Sequence, residues 1–303
     1  MPTANVKWAS LSLLLLAGTA RGDEERLKPF VLSSRAKGEI ETVVAEVKPK
    51  LAAAGFELVG DYAPYASARV LVVTSPELKA AAAKSKFGAY GAVQRVTATK
   101  IDEEVQVAFT NPVYMQYAYR MVGDLSPVRS KLEAALGSLE DFGAEGLTRK
   151  ELGSYHYMFG MEYFDEPTLL GRFGSHGGAV KATEQGLAKG RGGAKLVYKV
   201  AIPASNETVV GVALSEGCSG DSFIMSEIDA KPVRSTGHLP YEIVVSGMNA
   251  YALYGRFRIA INFPDLKMMG ANSFMNIKCA PDAIEAVLRK VVWGDVEEAN
   301  SAK

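Results

Sequence analysis

The 303-residue chain has two cysteines, three histidines and two tryptophans, and no surplus of either charge, with 34 Lys+Arg against 34 Asp+Glu. The balanced charge excludes a strongly basic nucleic-acid binder. A mean hydropathy of +0.03, with no second apolar run of spanning length after the first residues, excludes a polytopic membrane protein. Three histidines leave little material for hydrolytic or metal chemistry, and neither His-Glu-x-x-His nor His-x-x-x-His occurs. Cys-x-x-Cys-His is missing, which excludes covalent haem attachment. There is no Gly-x-Ser-x-Gly nucleophile elbow. Gly174-Ser-His-Gly-Gly178 precedes a helical segment but lacks the Lys-Ser/Thr of a phosphate loop, and Gly190-Arg-Gly-Gly193 reads as a helix stop. No nucleotide site and no cofactor are expected.

What is present begins with an address. Lys7, the apolar stretch Leu11 to Ala17 and the small residues up to Gly22 read as a signal peptide over residues 1–22. The apolar run is too short to span a bilayer, which needs about 20 residues. Its removal takes away Lys7 and Arg21 and no acid, leaving 32 bases against 34 acids, a net of −2. A periplasmic or secreted location follows as an expectation. Cys218 and Cys279 are then an even pair in an oxidising compartment, with one possible connectivity. Their bridge would close a loop of about 60 residues and contribute roughly 4 kcal/mol. The alternative is that both are small buried hydrophobes.

From Phe30 the periodicity sorts into elements. Residues 30–34 predict a strand and 38–54 a helix, its apolar stripe running through Ile40, Val43, Val44, Val47 and Leu51, with Pro49 expected to kink it. Strands are predicted over 56–62, 69–75, 92–100 and 104–110, with a short helix over 76–84 and a closing helix over 126–136. The second half predicts the same order. Its strands cover 155–164, 195–202, 208–214, 240–246 and 254–262, and its helices 176–189 and 281–292. Placing Pro112 on Pro264 sets Val105, Val107 and Phe109 on Phe257, Ile259 and Ile261. The fold class predicted is α+β: two tandem β-α-β4-α units, each an antiparallel sheet with its helices on one face. The units take residues 28–137 and 154–293, joined by a linker over 138–153 and followed by a disordered tail over 294–303.

The strings Arg69-Val-Leu-Val-Val-Thr-Ser75 and Val105-Gln-Val-Ala-Phe-Thr-Asn-Pro-Val-Tyr114 resemble the domain of unknown function 302 family. His238-Leu-Pro-Tyr-Glu-Ile-Val-Val245 and Ile259-Ala-Ile-Asn-Phe-Pro264 resemble it in the second half. The resemblance covers most of residues 28–293. It implies a β-α-β4-α fold similar to the TATA-box-binding protein saddle, often dimeric, and no established reaction. The long loop at 215–237 departs from a compact unit.

The candidate sites are few. Alternation places Arg256, Arg258 and Asn262 away from the core of the second unit, and Gln106 and Arg95 likewise in the first. Such an open sheet face would suit an anionic ligand, or be a solvated face whose arginines pair with Glu104 and Glu242. His156 and Met158 are the alternative, as soft metal or haem ligands. The Met-rich patch of Met268, Met269 and Met275, with aromatic counterparts around Tyr114, reads as packing between the units. Ser175-His176, and His238 with Cys218 or Ser235, are the conceivable hydrolase pairs. The expectation is an exported, soluble binding module for a small molecule or an exported protein partner, with no nucleic acid, no membrane span and a possible homodimer. A periplasmic metal- or haem-handling protein and a hydrolase are the alternatives.

Overall fold

The computed structural model describes residues 1, 24–158 and 160–294. The predicted signal segment beyond Met1, and the predicted tail beyond Gly294, lie outside the described residues. The first sheet and its helices run in the order β1 (Phe30–Lys37), α1 (Ile40–Ala53), β2 (Glu57–Tyr65), β3 (Ala68–Thr74), α2 (Pro76–Ala82), β4 (Gln94–Ile101), β5 (Glu104–Thr110), α3 (Pro112–Ala118) and α4 (Ser126–Leu136). β6 (Glu140–Phe142) and α5 (Arg149–Gly153) follow. The second set is β7 (Thr168–Arg172), α6 (His176–Ala188), β8 (Ala194–Ile202), β9 (Glu207–Leu214), α7 (Asp221–Ile228), β10 (Tyr241–Ser246), β11 (Asn249–Ala252), α8 (Gly255–Asn262) and α9 (Ala280–Trp293). Strand order is β2-β3-β4-β5-β1-β6 in one sheet and β8-β9-β10-β11-β7, read from its far edge, in the other. All pairings are antiparallel. The fold is therefore α+β, and β6 and α5 apart, element order and strand order recur.

Local chemistry accounts for the regular parts. In α1 the buried residues Ile40, Val43, Val44, Val47 and Leu51 repeat at helical spacing, and the helix continues past exposed Pro49 to Ala53. In α4, Val128, Leu132 and Leu136 form the buried stripe, Pro127 sits in the first turn, and Gly137 at φ 94° ends it. The segment 138–153, expected as a linker, instead supplies β6 to the free edge of β1.

Three expectations in the second half are corrected. The described residues of 155–164 form no strand: Met161 N donates to Met158 O in a turn, and Gly160 takes φ 82°. The sheet begins instead at Thr168. The segment predicted as a strand over 254–262 is instead helix α8 from Gly255 to Asn262, so Arg256, Arg258 and Asn262 belong to no sheet face. Phe257 and Ile261 join one core and Ile259 the other, so α8 is apolar on opposite sides and mimics alternation. The strand that pairs with β10 is the short β11, and the proposed register of Phe109 on Ile261 fails.

The true correspondence lies in the ladders. A register shift precedes Gly60 in β2 and Tyr198 in β8 alike. Beyond it, Gly60 pairs with Val72 and Val72 with Arg95, while Tyr198 pairs with Gly211 and Gly211 with Glu242. Gly60 thus corresponds to Tyr198, and Arg95 to Glu242. Both corresponding pairs touch. A Cβ on Gly60 would lie 2.9 Å from Tyr198 Cβ, and Arg95 meets Glu242 in an ion pair. Contacts between corresponding positions mark an approximate twofold axis through the centre of the molecule.

Cover is reciprocal about that axis. Glu207 of β9 accepts from the backbone N–H groups of Phe87 and Ala89, both at 3.1 Å, in the segment between α2 and β4. In return, the segment between α7 and β10 lies on the first sheet. Thr236 Oγ1 is 2.8 Å from Thr99 Oγ1, and Gln106 donates to Pro232 O at 2.8 Å and accepts from Arg234 N at 3.0 Å.

Candidate functional site

The predicted ligand face is closed. Arg95 and Arg258 are each 1% exposed, Gln106 3% and Asn262 0%. The reason is the second unit's long segment, which packs on the face that alternation leaves free. Only Arg256 stays partly exposed, and Glu162 takes its guanidinium through two contacts. Asn262 donates to the carbonyl of Arg258 one turn earlier, at 2.9 Å.

What the face holds is a buried ion cluster. Glu242 pairs with Arg95 through one oxygen and with Arg258 Nε at 3.3 Å through the other. Arg258 also donates to the carbonyl of His238 and, at 3.3 Å, to its Nδ1. The His238 proton must then sit on Nε2, donating to Tyr241 Oη at 2.9 Å. Burial, then Arg258 and Arg95, hold this imidazole well below its ordinary range, so it is neutral. Burial and the neighbouring Arg258 likewise lower Arg95. With both arginines gathered on Glu242 and no surface access, the cluster is structural.

The other predicted chemistry is not assembled. Cys218 and Cys279 are joined in a disulfide, with Cα atoms 5.9 Å apart, so neither offers a thiol to His238. His176 uses Nδ1 on Gly247 O and Nε2 on Thr208 Oγ1, both at 2.9 Å, while Ser175 Oγ accepts from Gly178 N as a helix cap. His156 Nδ1 lies 2.9 Å from the carbonyl oxygen of Met158, and its ring packs on Tyr163 at 4.5 Å. Met158 is an exposed side chain, 45% accessible. Among the described residues no group of three or more His, Cys, Asp and Glu is placed to hold a metal. Met161 and Met268 do line one apolar hollow, but its volume, about 20 Å³, is room for little more than a water.

The largest cavity described lies elsewhere, at about 480 Å³. Tyr62 and Pro64 of β2 form one wall, Val197 of β8 and Leu214 of β9 another, and Asp221 and Phe223 at the start of α7 the third. It is a cleft between the two units, beside the contact of Gly60 with Tyr198. Cys218 pins the turn that leads into α7 to the start of α9, which fixes the cleft rim.

Asp221 is the chemical centre of this cleft. It is 1% exposed. Its Oδ2 accepts from Leu214 N and Tyr62 Oη, both at 3.3 Å, while Oδ1 has no hydrogen-bond partner. Burial pushes its pKa up to about 8, against the pull of those two donors. Tyr62 is raised in turn by its own burial and by Asp221. Asp229, at the far end of α7, is a second such group, pushed up by burial to about 7 and lining two further cavities of about 390 and 270 Å³. Sequence reasoning singled out neither aspartate. No local motif marks them, since the cavity walls come from strands far away in the chain.

No family model, no curated protein and no solved structure matches the chain.

Proposed function

We propose that the chain is an exported binding module that receives a small molecule in the cleft between β2, β8 and the start of α7. The observation that carries this reading is a ligand-sized cavity with Asp221 in its lining, a buried carboxyl whose Oδ1 has no hydrogen-bond partner. Unpaired buried polar atoms are costly, and in folded proteins they concentrate where a further group completes them. The rest of the lining mixes apolar residues, Pro64, Val197, Leu214 and Phe223 among them, with Lys195, Ser215 and Ser222. The reading is of binding, and no histidine lines the cleft. The disulfide supports the exported location, because such bonds persist in oxidising compartments. The family resemblance remains part of the proposal at the level of its paired antiparallel units.

The test is an NMR titration with a library of small polar aromatics, read beside Ala213→Trp, which fills the cavity from β9. Binding should shift the amides of Tyr62, Val197 and Gly217 to Phe223, and the bulky variant should abolish it while keeping the native spectrum elsewhere. Shifts clustered away from these residues, or binding unaffected by the variant, would show that the cleft is not the site.

A further inference from the structure

We infer that the ligand of this cleft is an organic cation, an amine on an apolar body, whose ammonium group donates to Asp221. The inference rests on the cleft being the binding site, and it adds the class of ligand.

The argument is one of missing charge. Of the three other buried carboxylates among the described residues, Asp229 has Ser235 N on Oδ1, an unpartnered Oδ2, and Arg234 and Lys231 near it, while Glu242 and Glu207 are fully answered. Glu242 has two arginines, and Glu207 has two backbone N–H groups and the Ser246 hydroxyl. Asp221 has one backbone N–H and one phenol on a single oxygen, and no ion pair is formed by it among the described residues. The titratable and charged groups that face it are Tyr62 and Tyr65 from β2, Tyr241 from β10 and Lys195 from β8. Three are neutral phenols. Lys195 lies exposed on the cleft rim and outside ion-pair distance. Arg95, the nearest internal cation in the sheet, is committed to Glu242.

A cavity that lacks the counter-ion of its own buried carboxyl is complementary to a ligand that brings one. Tyr62, Pro64, Leu214 and Phe223 in the lining accommodate an apolar body. An anionic ligand would keep the carboxyl protonated and find a cation only in Lys195 on the exposed rim. At neutral pH the carboxyl holds its proton, because burial pushes its pKa up to about 8. Binding is then an exchange in which the ammonium enters, the O–H bond of the carboxyl breaks, and the proton leaves to solvent. The product is a carboxylate paired with the ligand.

The probes are phenethylamine, phenethyl alcohol and 3-phenylpropionate, which share a body and differ in the polar group. Calorimetry at pH 7, in two buffers of different ionisation enthalpy, reads affinity and proton release together. The amine should bind about tenfold or more tighter than the alcohol, releasing close to one proton. Its affinity should weaken by about tenfold per pH unit below pH 8, where the amine stays charged and the carboxyl does not. Asp221→Asn should erase both the preference and the release, and Asp229→Asn, outside this cleft, should keep them. Should Asp221→Asn not fold, the pH series on the unaltered protein decides alone. An alcohol or acid that binds as tightly as the amine, or an amine affinity that does not change with pH, would overturn the inference while leaving the cleft as the site. Failure of all three probes to shift any cleft amide would count against the cleft reading itself.

Discussion

Glu242 is 4% exposed and lies between two arginines, neither of which has another carboxylate within ion-pair distance among the described residues. Removing its charge leaves two buried guanidinium groups uncompensated. Breaking a buried pair in this way costs about 3–5 kcal/mol, far more than the pair adds over an apolar substitute. Glu242→Gln should lose stability in that range by urea denaturation, and adding Arg95→Met should recover part of the loss. A Glu242→Gln protein as stable as the parent would show that the cluster is hydrated. Strand alternation made the shared face of Arg95 and Gln106 legible, and Glu242 could be named as an acid for the arginines to meet. Their burial could not be read, because the cover comes from residues about 230–240, more than a hundred positions away. Asp221 was invisible for the same reason. An aspartate after Gly217-Cys-Ser-Gly reads as a turn residue until Tyr62 and Val197 are seen against it.

Elements buried on one face were legible, and those buried on several were not. α1, α4, α6 and α9 each meet a sheet, so their stripes match the pattern, whereas α8 is wedged between two cores and loses its polar side. β11, four residues long, is too short for alternation to identify. The segment from 215 to 237 carries α7 and the cleft, and it is held at its start by Cys218 bonded to Cys279 at the head of α9. With the cysteines 61 positions apart, the bond should contribute roughly 4 kcal/mol by restricting the unfolded chain. Cys218→Ser with Cys279→Ser should therefore lower the thermal midpoint by several degrees. The same change frees the Gly217–Ser219 turn on the cleft rim, so probe affinity should fall even well below that midpoint. Equal midpoints with and without the bond would place the stabilisation elsewhere.

At the scale of the molecule, the recurring order of elements describes two units, but the largest core draws on both. Tyr198, Val200, Ile202 and Val209 of the second sheet share a cluster with Val43 and Leu51 of α1 and with Val96 of β4. Tyr114 Oη donates to Ile261 O at 2.8 Å, tying α3 to α8 across the same boundary. At the axis the corresponding positions have diverged, glycine against tyrosine and arginine against glutamate. Two copies of either unit would oppose like charges there, or bring tyrosine against tyrosine. The units are thus complementary to each other rather than to themselves, and each leaves a polar, charged face bare when alone. Folding should then be one cooperative event. In urea, Trp293 fluorescence reports the second unit through its stacking on Phe173 at 4.9 Å, and hydrogen exchange at β3 amides reports the first. The two should lose structure at the same midpoint, and residues 24–153 produced alone should lack dispersed amide signals. Two separated transitions, or a folded fragment, would mean that the interface adds little and that the cleft at its edge is free to open.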